Sequence, residues 1–354
     1  MIDKRTYELD YIRELQMHYR TDPGLLERVL YAFGLLEALV KSGMKFTFKG
    51  GTSLMLLLDH PARLSTDIDI IVDPGTDVDR YIEQAGVIFP FLRKEEDVRK
   101  GRNNIEKRHF KFFYYSPVRQ ADFYILLDIV FMVSPYDKVV TKPIYNNLLI
   151  TESENLMVTM PTLECILGDK LTAFAPHTTG IPLGKKKELE IAKQLFDVAV
   201  LAEHMQDQKQ LCATYDRAVA EELSFRGLQL DKEAVLRDTI RACVSVISRG
   251  MYDQEDYVEY LKGIRSLADH ILGKKFTPEI AAEKACSVMC LATSILTDTP
   301  YPRIVDGTEY ANQRLAGNQY KKLAYIRKRD LAAYGYLVEA TKMLEGIQES
   351  ITMA

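Results

Sequence analysis

Cysteine is scarce in this sequence: five residues in 354, namely Cys165, Cys212, Cys243, Cys286 and Cys290. An odd, scattered set argues against a disulfide framework. Cys286 and Cys290 stand four apart in "EKACSVMCLATSIL", with no further Cys or His pair nearby. That speaks against a zinc site and for buried thiols on one helix face. Long apolar runs are also missing. The longest, "YILLDIVFMV" (124–133), is too short to span a bilayer and contains Asp128. The opening "MIDKRTYELD" is charged and lacks an apolar h-region, which predicts no signal peptide, no membrane partner and a cytoplasmic protein. A net charge of only −4 excludes a blanket attraction to nucleic acid but leaves room for a local basic patch. There is no repeat and no low-complexity tract.

What is there reads as an ordinary folded chain, 47% hydrophobic and 27% charged, long enough for two domains. Residues 5–42 read as helices. In "DPGLLERVLYAFGLLEALVKSG", Asp22 is a plausible N-cap, Pro23 stands just inside, apolar residues recur at helical spacing, and Gly43 stops the run. "KFTFKGG" predicts a short strand ending in a glycine pair, and "TSLMLLL" a buried helix from Thr52. "STDIDIIVD" is a strand closed by Pro74-Gly75, and "DRYIEQAGVIFPFL" a helix. "KRHFKFFYYSPV" and "QADFYILLDIVFMV" are strands around a turn at 116–120, and "LLITESENLMVTM" adds one or two more. After Pro161 the character changes: "LECILGDKLTAF" and nearly everything from Lys185 onward reads as amphipathic helix, ending in one Tyr-rich helix that includes "YIRKRD" (325–330). The expected fold is therefore α/β (α+β): a mixed sheet with flanking helices over 1–160, with a helical segment at 1–42, and an all-helical domain over 161–354.

The strand "RLSTDIDI" carries the chemistry. Residues i and i+2 of a strand share a face, about 7 Å apart, so Asp67 and Asp69 stand side by side while Ile68 and Ile70 point into the core. Two such carboxylates repel unless a cation sits between them. Hard oxygen ligands on a rigid strand suit Mg²⁺ or Mn²⁺, with substrate phosphates completing the shell. Pairing with Arg63 or Lys45 at the surface would explain the same residues without function. An EF-hand loop fails, because Ile71 stands where the next ligand is needed.

Three features add to the pair. In "KGGTSL", Gly50 and Gly51 allow close backbone approach to a phosphate at a helix start, with a hydroxyl from Thr52 or Ser53; a plain turn gives the same pattern. Asp128 lies amid Ile125, Leu126, Leu127, Ile129, Val130 and Phe131, so it must be paired, protonated or metal-bound. A neighbouring strand would make it a third metal carboxylate and a general base; a salt bridge to Arg63 or Lys111 is the plainer account. The third feature is the order: glycine turn, acid pair, later strand acid.

That order resembles the nucleotidyltransferase superfamily. More closely, "FKGGTSL", "RLSTDIDI", "GDKLTAF" and "KQLFDVAVL" look like the AbiEii/AbiGii toxin family of bacterial toxin–antitoxin and phage-defence (abortive infection) systems. The resemblance implies a Mg²⁺-dependent enzyme that moves a nucleoside monophosphate from an NTP to an acceptor hydroxyl. It implies RNA, at the tRNA 3′ end, as acceptor and a cognate antitoxin encoded alongside. It implies catalytic and metal roles for Asp67, Asp69 and Asp128. It carries a nucleotide-binding lysine and aspartate to Lys170 and Asp197, which the helical domain would contribute to the cleft. Here Leu195-Phe196 precede Asp197 where the family commonly has an Arg-Asp pair. Without the resemblance, Lys170 reads as a solvated helix lysine near Asp169 or Glu164, and Asp197 as the i+4 partner of Lys193. Arg63 would touch phosphate or neutralise the acids, and Ser65 would face the same site. Transfer to a protein or small molecule, and a non-catalytic NTP-binding module of the same fold, are the competing readings.

Segment 93–119 holds Arg93, Lys94, Arg99, Lys100, Arg102, Lys107, Arg108, Lys111 and Arg119 against four acids, with Phe110, Phe112, Phe113, Tyr114 and Tyr115 interleaved. Basic groups with aromatic platforms suit single-stranded RNA; a charged hairpin beside a buried strand has the same composition.

Overall fold

The computed structural model describes residues 1–97, 106–152, 154–273 and 275–352, with side chains described to residue 347. The chain forms two compact units: Met1–Thr162 with Asp269–Lys274, and Leu163–Ala268 with Lys275–Ala354.

The first unit opens on a short 3₁₀ turn and two helices, α1 (Leu9–Tyr19) and α2 (Pro23–Lys41). Asp22 caps α2 by accepting the Leu25 amide proton at 2.8 Å, Pro23 fills the first position, and Gly43 follows at φ +80°. Next come β1 (Thr47–Lys49), α3 (Gly50–Leu57), β2 (Ile68–Val72) and α4 (Asp79–Gly86). Helix α3 starts two residues before the expected Thr52, because the glycine turn is continuous with it. Strands β3 (Arg93–Glu96), β4 (Lys107–Ser116) and β5 (Ala121–Phe131) follow, then β6 (Val139–Pro143) and β7 (Met157–Pro161). The sequence predicted neither β3 nor β6, which are short and only partly buried, so they lack the apolar alternation that marks a strand.

Five strands form one sheet in the order β1-β2-β5-β4-β3, and β6 pairs with β7 separately. Strands β2 and β5 are parallel; the other neighbours are antiparallel. One sheet face is apolar: Phe48, Ile68, Ile70, Phe110, Phe112, Tyr114, Ile125, Leu127 and Ile129 are buried with Leu26, Leu30 and Phe33 of α2. Their neighbours in sequence alternate to a half-buried face. Glu27, fully buried on α2, accepts from Tyr114 and Ser116 hydroxyls at 2.9 Å and from the Val118 amide at 3.0 Å. These bonds pin the loop joining β4 to β5, and with it the hairpin register.

The second unit is helical: α5 (Leu163–Ala173), α6 (Glu188–His204), α7 (Gln208–Arg226), α8 (Lys232–Ser248), α9 (Gln254–Leu267), α10 (Pro278–Leu296) and α11 (Leu331–Thr352). Asp207, Asp231, Asp253 and Thr277 cap four of these by accepting backbone protons, so the starts are set by local chemistry. Helix α10 is the core element, and Cys286 and Cys290 are free, buried thiols on it. The expected single Tyr-rich last helix is two elements. A 3₁₀ stretch, Asn318–Lys328, ends at Arg329, and Asp330 caps α11 by accepting the Ala333 amide at 2.7 Å. An aspartate at an N-cap outcompetes helix continuation there. No helix among the described residues is long and apolar enough to cross a membrane.

Candidate functional site

The sheet register assembles the site. Asp69 on β2 faces Asp128 on β5 directly, which puts their Cα atoms about 4.8 Å apart. The same cross-strand row continues to Lys49 on β1 and His109 on β4. All four residues lie on the half-buried face, opposite the apolar one. Asp67 sits one residue before β2 and is half-exposed.

The glycine turn lies against this row. Gly50 has φ +82°, and a Cβ there would come within 2.1 Å of Asp69 Oδ2. A Cβ on Gly51 would come within 2.7 Å of both Arg63 Nη2 and Ser65 Oγ. The two glycines therefore admit the protein's own carboxylate, guanidinium and hydroxyl to the turn. Thr52 and Ser53 are fully buried. The Thr52 hydroxyl donates to the Asp67 carbonyl at 2.6 Å and the Ser53 hydroxyl to the Gly50 carbonyl at 2.8 Å. Their protons thus fasten the turn to the approach of β2. Arg63 is buried and donates to the Leu64 carbonyl. Its backbone bridges Ile271, and the Leu64 amide donates to the His270 carbonyl at 2.8 Å, so residues 269–273 brace this loop.

Two partners in the site escape a reading of the sequence. Arg28 of α2 lies 3.5 Å from Asp67 Oδ1. His109 Nδ1 lies 2.6 Å from Asp128 Oδ1, in place of the Arg63 or Lys111 suggested by the sequence. Lys111 pairs with Asp97 at 3.5 Å. The signal for His109 was present: seven residues back from Ser116 and seven on from Ala121 reach His109 and Asp128. A turn placed at 116–120 misses the closing pair by one residue, which moves the partner to the other sheet face.

Lys170 and Asp197 come together in the second unit. Lys170 Nζ is 2.7 Å from Asp197 Oδ2, with side-chain exposures of 10% and 1%. Lys170 is thus not a solvated lysine, and Lys193 pairs with Glu190 instead of Asp197.

Among the described residues of the basic segment, four of the six cations are ion-paired. Arg108 holds Glu96 and Asp79 at 2.8 Å, Lys94 holds Glu83 at 2.6 Å, and Arg93 pairs with Glu95 and Asp122. Arg108 in turn holds the Glu96 and Asp79 carboxyls below their ordinary range through its hydrogen bonds. Phe110, Phe112 and Tyr114 are core residues, as in the reading of a charged hairpin beside a buried strand. Alternation on β4 decides this: every second aromatic must face the core. Lys107 is exposed, and Arg119 covers the Phe123 ring at 3.9 Å. Arg99, Lys100 and Arg102 lie outside the described residues. In "YIRKRD", Arg329 pairs with Glu283 at 3.1 Å.

Among the described residues no three His, Cys, Asp or Glu side chains form a ready-made metal group. The donor set nevertheless suits Mg²⁺, which takes one or two carboxylates and leaves the remaining positions to water and phosphate. Asp69 and Asp128, facing each other on neighbouring strands, offer that pair.

Fold and site together define a mixed α/β protein whose sheet carries a carboxylate row beneath a glycine turn. A family model described as "Nucleotidyl transferase AbiEii toxin, Type IV TA system" matches residues 34–276, more than half of the chain. The chain belongs to the AbiEii family. That membership implies a nucleotidyltransferase toxin of a type IV toxin–antitoxin system, with an NTP substrate and an antitoxin partner. Among solved structures, the chain is similar to the crystal structure of JHP933 from Helicobacter pylori, with 15% identity, a TM-score of 0.43, and coverage of 77% of this chain and 93% of that one. Comparison with curated proteins found no match.

Proposed function

We propose that this protein transfers a nucleoside monophosphate from an NTP to the 3′ hydroxyl of an RNA, of tRNA class, and that it arrests growth in toxin–antitoxin and phage-defence settings when its antitoxin is absent. The observation that carries the chemistry is the register of Asp69 against Asp128, with Asp67 two residues upstream and the glycine turn alongside. The RNA acceptor rests on family membership.

Asp67, Asp69 and Asp128 would hold Mg²⁺, which supplies Lewis-acid activation of the phosphates when bound. Asp128 takes the acceptor hydroxyl proton as that oxygen bonds to the α-phosphorus. The bond from the α-phosphorus to the bridging oxygen breaks, and pyrophosphate leaves. Arg63 and Ser65, held against Gly51, offer a cation and a hydroxyl beside the turn where the phosphates would lie. Lys170 is proposed to bind nucleotide, as the family resemblance implies.

The test is incubation of the pure protein with each α-labelled NTP and total cellular RNA, with and without a chelator. Chelator-sensitive label on RNA of tRNA size is the expected result. Label on protein alone would overturn the RNA acceptor, and no label with any NTP would overturn the transferase reading. In cells lacking antitoxin, expression should slow growth and Asp128→Asn should relieve it.

A further inference from the structure

His109 lies outside the acid motif, and the mechanism above leaves it without a task. Its position is nevertheless set by the same sheet register that makes the site. Strand β5 lies between β2 and β4, so Asp128 is fixed by ladders on both sides. On one side it faces Asp69, on the other His109. The His109 carbonyl also accepts the Asp97 amide proton at 2.7 Å, which anchors the strand beyond. Both backbones are held before any side chain meets, so the His109–Asp128 bond orders little that is not already ordered.

The bond itself is short, 2.6 Å from Nδ1 to Oδ1, and partly shielded, with side-chain exposures of 17% and 31%. A carboxylate only accepts, so Nδ1 carries the proton. Cations nearby on the hairpin are engaged elsewhere: Arg108 with Glu96 and Asp79, Lys111 with Asp97. A flexible lysine would neutralise Asp128 equally well. An imidazole, with only two side-chain torsions, does something more specific: it fixes the direction in which the carboxylate points.

We propose that His109 is the positioning residue for Asp128: its Nδ1–H holds Oδ1 so that Oδ2 is presented to the reacting groups. This rests on the reading of Asp128 as an acid of the transfer reaction. His109 touches neither substrate nor reacting atom; it acts through Asp128.

The test compares His109→Ala, His109→Gln and His109→Asn in the full chain. The amide nitrogen of Asn stands as many bonds from Cα as Nδ1 does, whereas that of Gln stands one bond further. Ala and Gln should lower kcat for label transfer about 10- to 100-fold, the range for lost hydrogen-bond partners of site ligands, with the KM for NTP little changed. Asn should restore most of the loss. A merely structural histidine would not distinguish Asn from Gln in kcat. A second readout needs no activity. Nitrogen chemical shifts of the His109 ring should report the Nδ1–H form in the wild type, lost in Asp128→Ala. Wild-type kcat in His109→Ala, equal loss in Asn and Gln, or an Nε2–H ring in the wild type would each overturn the inference. If Asp128→Asn is inactive while His109→Ala is fully active, the inference alone fails. Full activity in Asp128→Asn overturns the underlying reading, and the inference with it. If the Ala variant does not fold, the Asn–Gln comparison and the wild-type ring shifts decide.

Discussion

Asp69 Oδ2 fills the space that a Cβ on Gly50 would need: that position lies 2.1 Å from Asp69 Oδ2, and Gly50 also has φ +82°. Two independent constraints thus require glycine at this one residue. The backbone constraint alone is met at Gly43, with φ +80° and nothing within 4 Å of the missing Cβ.

The pair of alanine variants separates the two effects. Gly43→Ala should cost about 1–2 kcal/mol of stability from the left-handed backbone and leave nucleotidyl transfer unchanged. Gly50→Ala carries the same backbone cost and must also displace the Asp69 carboxylate. If Asp69 holds the metal as proposed, misplacing it by about 1 Å can cost about a hundredfold in rate, and we expect at least that loss. Thermal melts and label transfer on both variants check the contrast.

Asp67→Asn should separate activity from stability. Its contact with Arg28, at 3.5 Å, involves a half-exposed carboxylate with 45% side-chain exposure. Such pairs contribute about 0.2–1 kcal/mol, so the melting temperature should hardly move. Transfer should fall at least about a hundredfold, the scale of a lost electrostatic group at a reacting centre. A large drop in melting temperature with transfer preserved would make Asp67 a structural ion-pair residue.

Lys170 and Asp197 should behave in the opposite way. Removing one partner of a buried pair strands a charge and costs about 3–5 kcal/mol, so Lys170→Ala and Asp197→Ala should each destabilise the chain in urea melts. The double variant Lys170→Met with Asp197→Leu should recover most of that loss. If Lys170 also contacts nucleotide, Lys170→Ala assayed well below its melting temperature should raise the KM for NTP roughly tenfold or more, equivalent to about 1.5–3 kcal/mol.

Asp238 supplies a pH test in the second unit. Burial raises its carboxyl above the ordinary value, and this outweighs the hydrogen bonds it accepts from the Thr178 hydroxyl and the His177 amide. A raised folded pKa means the folded state binds the proton more tightly. The stabilising contribution is therefore full below the unfolded pKa of 3.8 and lost as pH rises through the folded value. Asp238→Asn keeps an acceptor without the buried charge. It should melt higher than the wild type at pH 7, and the gap should close as pH falls towards 4. A variant that melts lower at pH 7 would show that the charge is compensated.

Some of this was legible along the chain. Asp22, Pro23 and Gly43 delimit α2 because capping and backbone freedom are properties of a few adjacent residues. Strands β4 and β5 show in their alternation, since a half-buried surface repeats every second residue. The acid pair and the glycine turn stand out because charge and flexibility are rare where the neighbours are apolar. Strand β3 did not show: "RKEE" is charged throughout, and only pairing with β4 makes it a strand.

The sequence by itself thus showed the capped helix α2, the alternating strands and the family, and it singled out the acid pair and the glycine turn. Which side chains meet the acids was decided only by the tertiary structure. His109 reaches Asp128 through hairpin register, Arg28 reaches Asp67 from a helix across the core, and Lys170 reaches Asp197 from another helix. The physical reason is one of range. Caps and periodicity act within one or two turns of backbone, whereas a charged side chain takes the partner that packing brings within a few ångströms, and one residue of register changes which partner that is.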